Sequence, residues 1–278
     1  MPSYVVVGAS RGIGYALVQE LAADKNNTVI GLVRSLDKAK ARFAAEVPDL
    51  KIHLVHGDLD DRKTLEAAAA EVAAITGGSV DVFIANAAIA FPINKPLSLE
   101  ATENPDQFEK NMFAAYRTNT VGTIQAVAYF APLVVKSDLK KIAVISTALG
   151  DIDFTLQVGF GHHSPYATSK AAVNMAVAKF HIELREKGVT VFAISPGLVA
   201  TEFATDPTAP PPTAEEQAAL YENMTRNIAL FKAYAPNWEP RPLTPTESAQ
   251  MVVKVIAGAT IEKNGGRMVS HFGTKQWL

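Results

Sequence analysis

The sequence predicts a doubly wound α/β fold, in which helices cover both faces of one parallel sheet. Three observations support this prediction. Short β-branched runs alternate with helix-period segments, a glycine-rich turn follows the first run, and hydrophobic residues make up 48% of the chain against 19% charged residues. That composition supplies enough apolar surface for a sizeable core and argues against disorder. We therefore expect residues 1–278 to form a single domain.

Seven short runs rich in valine and isoleucine have the lengths of buried strands. They are Tyr4–Val7, Thr28–Val33, Ile52–His56, Val80–Ala85, Lys141–Ser146, Val189–Ser195 and Arg267–Ser270. Segments with helical spacing and good helix formers separate them. These are Gly14–Ala23, Leu36–Glu46, Asp61–Thr76, Asp106–Val135, Ser164–Lys187 and Thr246–Ala257. In such a sheet, ligands bind beyond the carboxyl ends of the strands, at the point where the strand order reverses.

One long segment, Ala204–Pro245, interrupts this alternation and is rich in proline. It contains a helical stretch, Glu215–Tyr234, whose apolar residues are spaced by three and four. These are Leu220, Met224, Ile228 and Phe231. Only one predicted helix and one predicted strand follow, too little for a second core, so a linker between domains is disfavoured. We expect a lid over a bulky, largely apolar substrate; the alternative is that the stripe simply packs on the domain.

Charge and cysteine content exclude several classes of function. With 26 basic and 28 acidic residues the net charge is -2, so the chain lacks the positive field that nucleic-acid binding requires. It has no cysteine, which excludes disulfides, thiolate catalysis and sulfur-ligated zinc, and we assign no metal site. No secretion signal is visible, and the longest apolar stretch, Thr123–Val135, is too short to span a bilayer. We expect a cytoplasmic protein with no membrane partner.

A glycine-rich turn follows the first predicted strand and leads into the first helix. Its glycines have the spacing Gly-x-x-x-Gly-x-Gly. Such a turn lets backbone N–H groups and the helix dipole approach a pyrophosphate closely. The alternative is that the glycines serve the conformation of the turn alone. The predicted cofactor-binding residues here are Gly8, Ser10, Arg11, Gly12, Ile13 and Gly14.

The end of the second predicted strand indicates which dinucleotide binds. An NAD site places an acidic residue there to hold the ribose 2′-hydroxyl, but this chain has Arg34. The guanidinium groups of Arg34 and Arg11 suit a 2′-phosphate, because planar forks pair with phosphate oxygens. Either arginine, taken singly, could equally be a solvated surface charge. Together they predict NADP as the cofactor.

The third and fourth predicted strands also end in candidate cofactor contacts. Asp58, followed by Leu59, could accept a hydrogen bond from the adenine amino group, or could cap the next helix. Asn86 and Ala87 put an amide and a small side chain where a flat cofactor would pass, although a turn asparagine is about as common. We expect these four residues at the cofactor site.

The strongest catalytic candidates lie on the helix after the fifth strand. Tyr166 and Lys170 are four residues apart and therefore share one helix face. A phenol has a pKa of about 10, and a neighbouring ammonium group lowers that pKa toward a useful range. Ser146 and Thr147 end the preceding strand, and Asn119 lies in the helix before it. We predict these five residues as the catalytic group, with Tyr166 as the acid/base.

These motifs together resemble the short-chain dehydrogenase/reductase family, and Arg34 without an acid resembles its NADP-preferring, carbonyl-reducing members. The likeness runs from Tyr4 to about Thr201, and the last strand also fits. It implies a Rossmann-type sheet in which the Tyr166 hydroxyl protonates a carbonyl oxygen. It also implies that Lys170 lowers the tyrosine pKa and holds the nicotinamide ribose, that a hydroxyl near the fifth strand positions the carbonyl, and that Asn119 anchors a water relay.

The resemblance extends to the segment after the sixth strand. The cofactor contacts that it implies there are Pro196, Gly197, Val199 and Thr201, with the last two near the carboxamide. Tyr166 and Lys170 are implied cofactor contacts as well. The family further implies a homodimer or homotetramer through the Asp106–Val135 and Ser164–Lys187 helices.

The sequence departs from the family pattern in three places. Alignment on Gly150 puts Thr147 rather than Ser146 at the catalytic serine position, so either hydroxyl is a candidate. Asn86-Ala87-Ala88 replaces Asn-Ala-Gly, which is harmless if that backbone needs no positive φ. The stretch between Thr147 and Tyr166 is longer than usual. Its aromatic residues shape a substrate pocket, unless the two histidines are merely solvated; they are Phe154, Phe160, His162 and His163.

The expected function is the NADP(H)-dependent reduction of a ketone or aldehyde to an alcohol, or the reverse. The expected partner is the small-molecule carbonyl or alcohol substrate. Two other functions stay open: a catalytically silent NADP-binding sensor or scaffold, and a lyase or isomerase on the same fold. A missing tyrosine, lysine or asparagine would favour the silent protein, and none is missing.

Overall fold

Seven parallel strands form one sheet at the centre of the molecule in a computed structural model of the chain. The structure describes residues 1–91, 95–201 and 213–278, with the backbone alone for 214–220. The strands are β1 (Ser3–Val7), β2 (Thr28–Val33), β3 (Ile52–His56), β4 (Val82–Ala85), β5 (Lys141–Ile145), β6 (Thr190–Ser195) and β7 (Met268–Ser270). The helices are α1 (Gly12–Ala22), α2 (Leu36–Glu46), α3 (Arg62–Thr76), α4 (Leu97–Glu103), α5 (Pro105–Ala115), α6 (Thr123–Val135), α7 (Ile152–Val158), α8 (Ser164–Leu184), α9 (Ala214–Tyr234), α10 (Pro245–Ala257) and α11 (Ile261–Asn264).

The strand order is β3-β2-β1-β4-β5-β6-β7, and each neighbouring pair is parallel. The chain winds outward from β1 to β3 and then crosses to β4, so the winding direction reverses between β1 and β4. A crevice for ligands forms at the carboxyl ends of two such strands. Gly8 follows β1 and Asn86 follows β4, so the fold brings these two predicted cofactor residues together. The predicted doubly wound, Rossmann-type sheet is confirmed.

Apolar side chains fill the space between the sheet and the helices on both faces. On one face, Phe83 of β4 stacks on Phe130 of α6, with ring centroids 4.7 Å apart. On the other face, Leu17 of α1 and Val252 of α10 are fully buried. Each such side chain stabilises the fold by about 1.5–3 kcal/mol. Among the described residues, no helix is long and apolar enough to cross a membrane.

The prediction of one continuous helix over Asp106–Val135 is wrong in the middle of this range. A π-helix, Tyr116–Gly122, separates α5 from α6, and it contains the predicted catalytic Asn119. Close packing accompanies this change, because a Cβ on Gly122 would lie 2.5 Å from the carbonyl oxygen of Leu59. Wide turns of this kind are rare in helices and often occur at functional sites.

Three short helices, α4, α7 and α11, were not predicted from the sequence. Helix α7 shows why, because its ends are set by single residues rather than by an apolar period. The Asp151 carboxylate accepts a hydrogen bond from the backbone N–H of Phe154, and Gly159 ends the helix with φ +71°. The predicted Ser164–Lys187 helix also changes at its end, where a 3-10 turn, Arg185–Lys187, follows α8.

Candidate active site

The turn after β1 holds the backbone so tightly that it requires glycine. Gly8 and Gly12 have φ of +79° and +55°, in the left-handed region that favours glycine. A Cβ on Gly14 would lie 2.1 Å from the carbonyl oxygen of Gly8. Helix α1 begins here without a side-chain cap from Arg11, while Ile13 packs half-buried on the core. The turn therefore presents an open helix N-terminus, which is the structure that binds phosphate groups.

Asn86 ties the end of β4 to this turn. Its Nδ2 group donates hydrogen bonds to the carbonyl oxygens of Val7, at 3.3 Å, and Gly8, at 3.2 Å. Ala87 lies directly under the turn, since a Cβ on Gly8 would be 2.7 Å from the Ala87 Cβ. Ala88 is not among the residues with positive φ. The condition under which the replacement of the family's glycine there is harmless, a backbone that needs no positive φ, is therefore met.

Three arginines are candidates for contacts with phosphate groups. Arg34 and Arg11 are exposed, and neither guanidinium bonds to another side chain in the part of the chain that the structure describes. The third, Arg42 of α2, was missed by the sequence analysis. It donates to the Ser10 carbonyl oxygen at 3.1 Å, and its guanidinium lies 4.3 Å from the centre of the Tyr15 ring. The residues present therefore fit a dinucleotide that carries an additional phosphate.

The loop after β3 places Asp58 half-buried beside the crevice. Its Oδ1 atom accepts a hydrogen bond from the Asp60 backbone N–H at 3.0 Å. The cap of the next helix is Asp61, which accepts from the Lys63 N–H at 3.0 Å, so the alternative that Asp58 caps this helix is wrong. The neighbouring Leu59 is buried.

The two hydroxyl groups at the end of β5 have different partners. The Thr147 hydroxyl is hydrogen-bonded to Tyr166. The Ser146 hydroxyl donates instead to the Asn174 amide oxygen at 2.7 Å, and Ser146 is buried. The structure therefore brings Thr147, not Ser146, to the tyrosine, in agreement with the alignment on Gly150.

Burial dominates the electrostatics of Tyr166 and Lys170. It raises the pKa of the Tyr166 hydroxyl, and the hydrogen bond to Thr147 acts in the opposite, lowering direction. The expected net lowering by Lys170 is therefore wrong for this structure. Burial also lowers the pKa of the Lys170 ammonium to about 8. Its Nζ donates a hydrogen bond to the carbonyl oxygen of Ile145 at 2.7 Å.

Asn119, at the centre of the π-helix, connects the loop after β4 to α8. Its side chain is fully buried and donates to the Ile89 carbonyl oxygen and to the Ser169 hydroxyl, both at 2.9 Å. It also accepts from the Ile89 backbone N–H at 2.8 Å. Both amide hydrogens are thus used in holding the loop after β4 against the helix that carries Tyr166.

The segment after β6 returns to the glycine turn. Thr201 lies beside it, since a Cβ on Gly12 would be 3.5 Å from the Thr201 Cγ2. Pro196 is held at the start of the segment, where its carbonyl oxygen accepts from the Ser248 hydroxyl at 2.8 Å. Two predicted cofactor segments that are distant in sequence are therefore neighbours.

Leu243 holds the middle of this segment. Gly197 has φ +90°, and a Cβ on it would lie 2.9 Å from the Leu243 side chain. Val199 forms an isolated parallel bridge with Leu243. The end of the predicted lid is therefore fixed to the implied carboxamide-binding strip, a contact that no sequence motif indicates.

An aromatic cluster forms around the segment between Thr147 and Tyr166. Phe154 of α7 and Phe160 are buried, and they contact rings from α9, from the C-terminal tail and from the residue before α8. The pairs are Phe160–Phe231, Phe160–His163, Phe154–Tyr234 and Phe154–Trp277, with ring centroids 5.8, 5.7, 5.3 and 6.1 Å apart. The cluster joins three segments that lie far apart in sequence.

The two histidines of this region are half-buried, so a purely solvated role is wrong. His162 Nε2 accepts a hydrogen bond from the Arg226 guanidinium of α9 at 2.9 Å. His163 Nδ1 lies 3.4 Å from the Phe91 carbonyl oxygen, and burial lowers the pKa of its ring. Both histidines therefore connect the start of α8 to neighbouring elements.

Comparison with known proteins identifies the family. The model of the short chain dehydrogenase family matches residues 3–210. The chain belongs to the short-chain dehydrogenase family. The resemblance predicted from the sequence is confirmed, and the chain is an oxidoreductase of this family with the Rossmann-type sheet.

Named relatives span the whole length of this short-chain dehydrogenase. It is 40% identical over 279 residues to the short-chain dehydrogenase/reductase AacuF of Aspergillus aculeatus, with 100% of both chains covered. An NADPH-bound carbonyl reductase from chicken fatty liver is 25% identical, with a TM-score of 0.73 over 99% of this chain and 98% of that one. A 3-oxoacyl-acyl-carrier-protein reductase from Brucella melitensis in complex with NAD is 21% identical, with a TM-score of 0.71 over 98% and 96%. This last likeness shows the fold alone.

Proposed function

We propose that this short-chain dehydrogenase uses NADP(H) to reduce a ketone or aldehyde to an alcohol, or catalyses the reverse reaction. The hydrogen bond between Thr147 and Tyr166, beside the buried Lys170, carries the proposal. It puts two hydroxyl groups together at the carboxyl end of the sheet, where a carbonyl oxygen can accept from both. Tyr166 is the acid/base, Thr147 positions the carbonyl, and Asn119 holds the catalytic helix in place.

The choice of NADP over NAD rests on charge. Arg34 stands where an NAD site has an acidic residue, and Arg11 stands in the glycine turn. Arg42 adds a third guanidinium at the same turn. NADPH is also the ligand of the chicken carbonyl reductase, although the Brucella reductase holds NAD. The remaining proposed contacts are Gly8, Ser10, Gly12, Ile13, Gly14, Asp58, Leu59, Asn86, Ala87, Tyr166, Lys170, Pro196, Gly197, Val199 and Thr201.

A bound nicotinamide would supply the hydride, and the chain's own residues handle the proton. Because burial raises the pKa of Tyr166, its hydroxyl stays protonated at neutral pH and can donate to the carbonyl oxygen. Lys170 shares its helix face, so its ammonium stabilises the phenolate that forms. With a pKa of about 8, Lys170 loses this charge as the pH rises through that value. The reduction is therefore expected to slow on the alkaline side.

The aromatic cluster supports a bulky, largely apolar substrate. We propose that α9 and the residues after it cover the substrate as a lid. The segment 204–212 and the Leu220 side chain lie outside the described residues. Ile228 and Phe231 are half-buried and Phe231 packs on Phe160, whereas Met224 is 52% exposed. The stripe thus combines a packing contact with an apolar surface that is available to a ligand.

A homodimer or homotetramer is proposed from the family and from exposed apolar side chains. Phe113 of α5 is 66% exposed, and Met175 and Ile182 of α8 are 62% and 59% exposed. Large exposed apolar side chains on these two helices favour a contact between chains. We also retain the proposal of a cytoplasmic enzyme, which the absence of cysteine supports.

Substitution of Tyr166 by phenylalanine tests the reaction. Removing the acid is expected to lower kcat for a carbonyl panel by about 10²-fold or more, with the NADPH Kd unchanged within a few-fold. Tyr221→Phe on α9 is the matched control, because Tyr221 is 69% exposed. Near-normal turnover by Tyr166→Phe would end the assignment. If the wild-type protein binds NADPH but oxidises it with no carbonyl compound in the panel, a role as a sensor, a lyase or an isomerase is favoured.

A further inference from the structure

The helix that carries Tyr166 begins without a cap of its own. His163 occupies the cap position of α8 in the left-handed conformation, with φ +60°, and its side chain makes no capping hydrogen bond. The first turn of a helix leaves backbone N–H groups that need acceptors. Tyr166 lies in this first turn, so any looseness there reaches the catalytic hydroxyl directly.

A buried carboxyl group from another helix occupies the empty cap position. Glu100 of α4 is 7% exposed, and its Oε1 atom accepts from the Ser164 hydroxyl at 3.4 Å. The Ser164 backbone N–H also donates to this carboxyl group. Ser164 is the first residue of α8. Glutamate is rarely buried this deeply unless its charge is compensated, and the positive end of a helix provides such compensation.

The second oxygen of Glu100 is buried and has no hydrogen-bond partner among the residues that the structure describes. Burial raises the pKa of Glu100, while the Ser164 bonds and the nearby His162 act in the opposite direction. An unpaired buried carboxyl oxygen costs free energy that folding alone gives no reason to accept. Its retention at the start of the catalytic helix therefore points to a role in the site.

We propose that Glu100 is a positioning residue for the reaction: it caps the N-terminus of α8 in place of His163 and thereby holds the Tyr166 hydroxyl against Thr147. The inference rests on the proposed function of Tyr166. Glu100 acts through Ser164, the first residue of α8, to which both of its hydrogen bonds run. A misplacement of about 1 Å can cost about 10²-fold in rate, so a loose first turn lowers kcat.

Three variants separate this role from a general loss of structure. Glu100→Ala removes the cap, Glu100→Gln keeps an acceptor oxygen, and Glu103→Ala removes an exposed carboxylate on the same helix that pairs with Lys95. We expect Glu100→Ala to lower kcat by about tenfold or more with the NADPH KM unchanged. Glu100→Gln is expected to recover most of that loss, and Glu103→Ala to match the wild type.

Hydrogen–deuterium exchange of the peptide that covers Ser164–Lys170 supplies a readout that does not depend on activity. Exchange there is expected to be faster in Glu100→Ala but not in Glu100→Gln or Glu103→Ala. If Glu100→Ala does not fold, Glu100→Asp shortens the side chain and keeps its charge; a several-fold lower kcat is then expected, and a wild-type kcat overturns the inference.

Two results with folded variants would overturn the inference. One is a kcat for Glu100→Ala equal to that of Glu103→Ala; the other is an equal loss in Glu100→Ala and Glu100→Gln, since the glutamine oxygen still accepts. Tyr166→Phe is measured in the same series. If Tyr166→Phe keeps its turnover, the proposed function fails. If Tyr166→Phe loses its turnover while Glu100→Ala stays fully active, only the proposed role of Glu100 fails.

Discussion

The glycine turn after β1, which we propose as the cofactor half of the crevice, and the aromatic cluster, which we propose as its substrate half, are built from different materials. The cofactor half consists of backbone and small residues, with so little space that a Cβ on Gly14 would overlap the Gly8 carbonyl oxygen. The substrate half consists of large rings, such as Phe160 and Phe231, brought together from distant segments. Backbone cannot move aside for an added atom, whereas side chains can repack. Substitutions in the cofactor half should therefore cause a large loss of cofactor affinity, whereas substitutions in the substrate half should reduce stability or activity only in part.

The sharpest expected failure is Gly14→Ala. Its Cβ would lie 2.1 Å from the Gly8 carbonyl oxygen and 2.5 Å from the Asn86 Nδ2, so the turn must deform. We expect the NADPH Kd to rise by about 100-fold or more, because helix α1 can no longer present its N-terminus to phosphate. Isothermal titration calorimetry measures this. Gly258→Ala is the control, since the nearest atom to its Cβ would be 3.7 Å away. Tight NADPH binding by Gly14→Ala would show that the two halves do not differ in this way.

A smaller loss is expected for Arg34→Ala, which removes charge without changing the backbone. A charge-assisted contact contributes about 1.5–3 kcal/mol, so NADPH affinity should fall by about 10-fold to 100-fold while NADH affinity changes little. The control is Arg185→Ala, an exposed arginine at the far end of α8 that pairs with Glu186. Equal losses for both cofactors would show that Arg34 does not read the 2′-phosphate.

The same contrast explains which parts of the site the sequence predicts. The glycine turn and the Tyr166/Lys170 pair are local patterns, in which spacing alone puts the groups together. Glu100 was missed because it reaches the site from a short helix with no apolar period, and its partner Ser164 lies far along the chain. The aromatic cluster was foreseen only as a set of candidate residues, because ring contacts between distant segments leave no local signal.

The burial of a side chain also cannot be predicted from the spacing of residues in the sequence. The four-residue interval correctly puts Lys170 on the face of Tyr166, yet the pKa of Tyr166 is raised because desolvation outweighs its hydrogen bond to Thr147. The continuous helix predicted through Asn119 was wrong for a related reason. Close packing of Gly122 on the loop after β3 accompanies the π-helix, and that contact joins residues from different elements.

The mildest expected change is Phe231→Ala, which tests the substrate half. Phe231 stacks on Phe160 with centroids 5.8 Å apart and meets the edge of Trp238 at 5.6 Å. Each aromatic pair contributes about 0.5–1.5 kcal/mol, so the free energy of unfolding should fall by about 1–3 kcal/mol. Neighbouring rings can close part of the gap, and the protein should stay folded. Urea denaturation measures the fall.

The same variant distinguishes a lid from a packing contact. If α9 shapes the substrate site, loss of the ring should lower kcat/KM for bulky ketones relative to small ones by about 3-fold to 10-fold, since the loss of an apolar contact at a half-buried ring is worth about 1 kcal/mol. Tyr221→Ala is the control on the same helix, because its ring is 69% exposed. A lower stability with an unchanged preference between bulky and small ketones would leave α9 only a packing role. A changed preference in Phe231→Ala but not in Tyr221→Ala would show that the cluster under α9 selects the substrate.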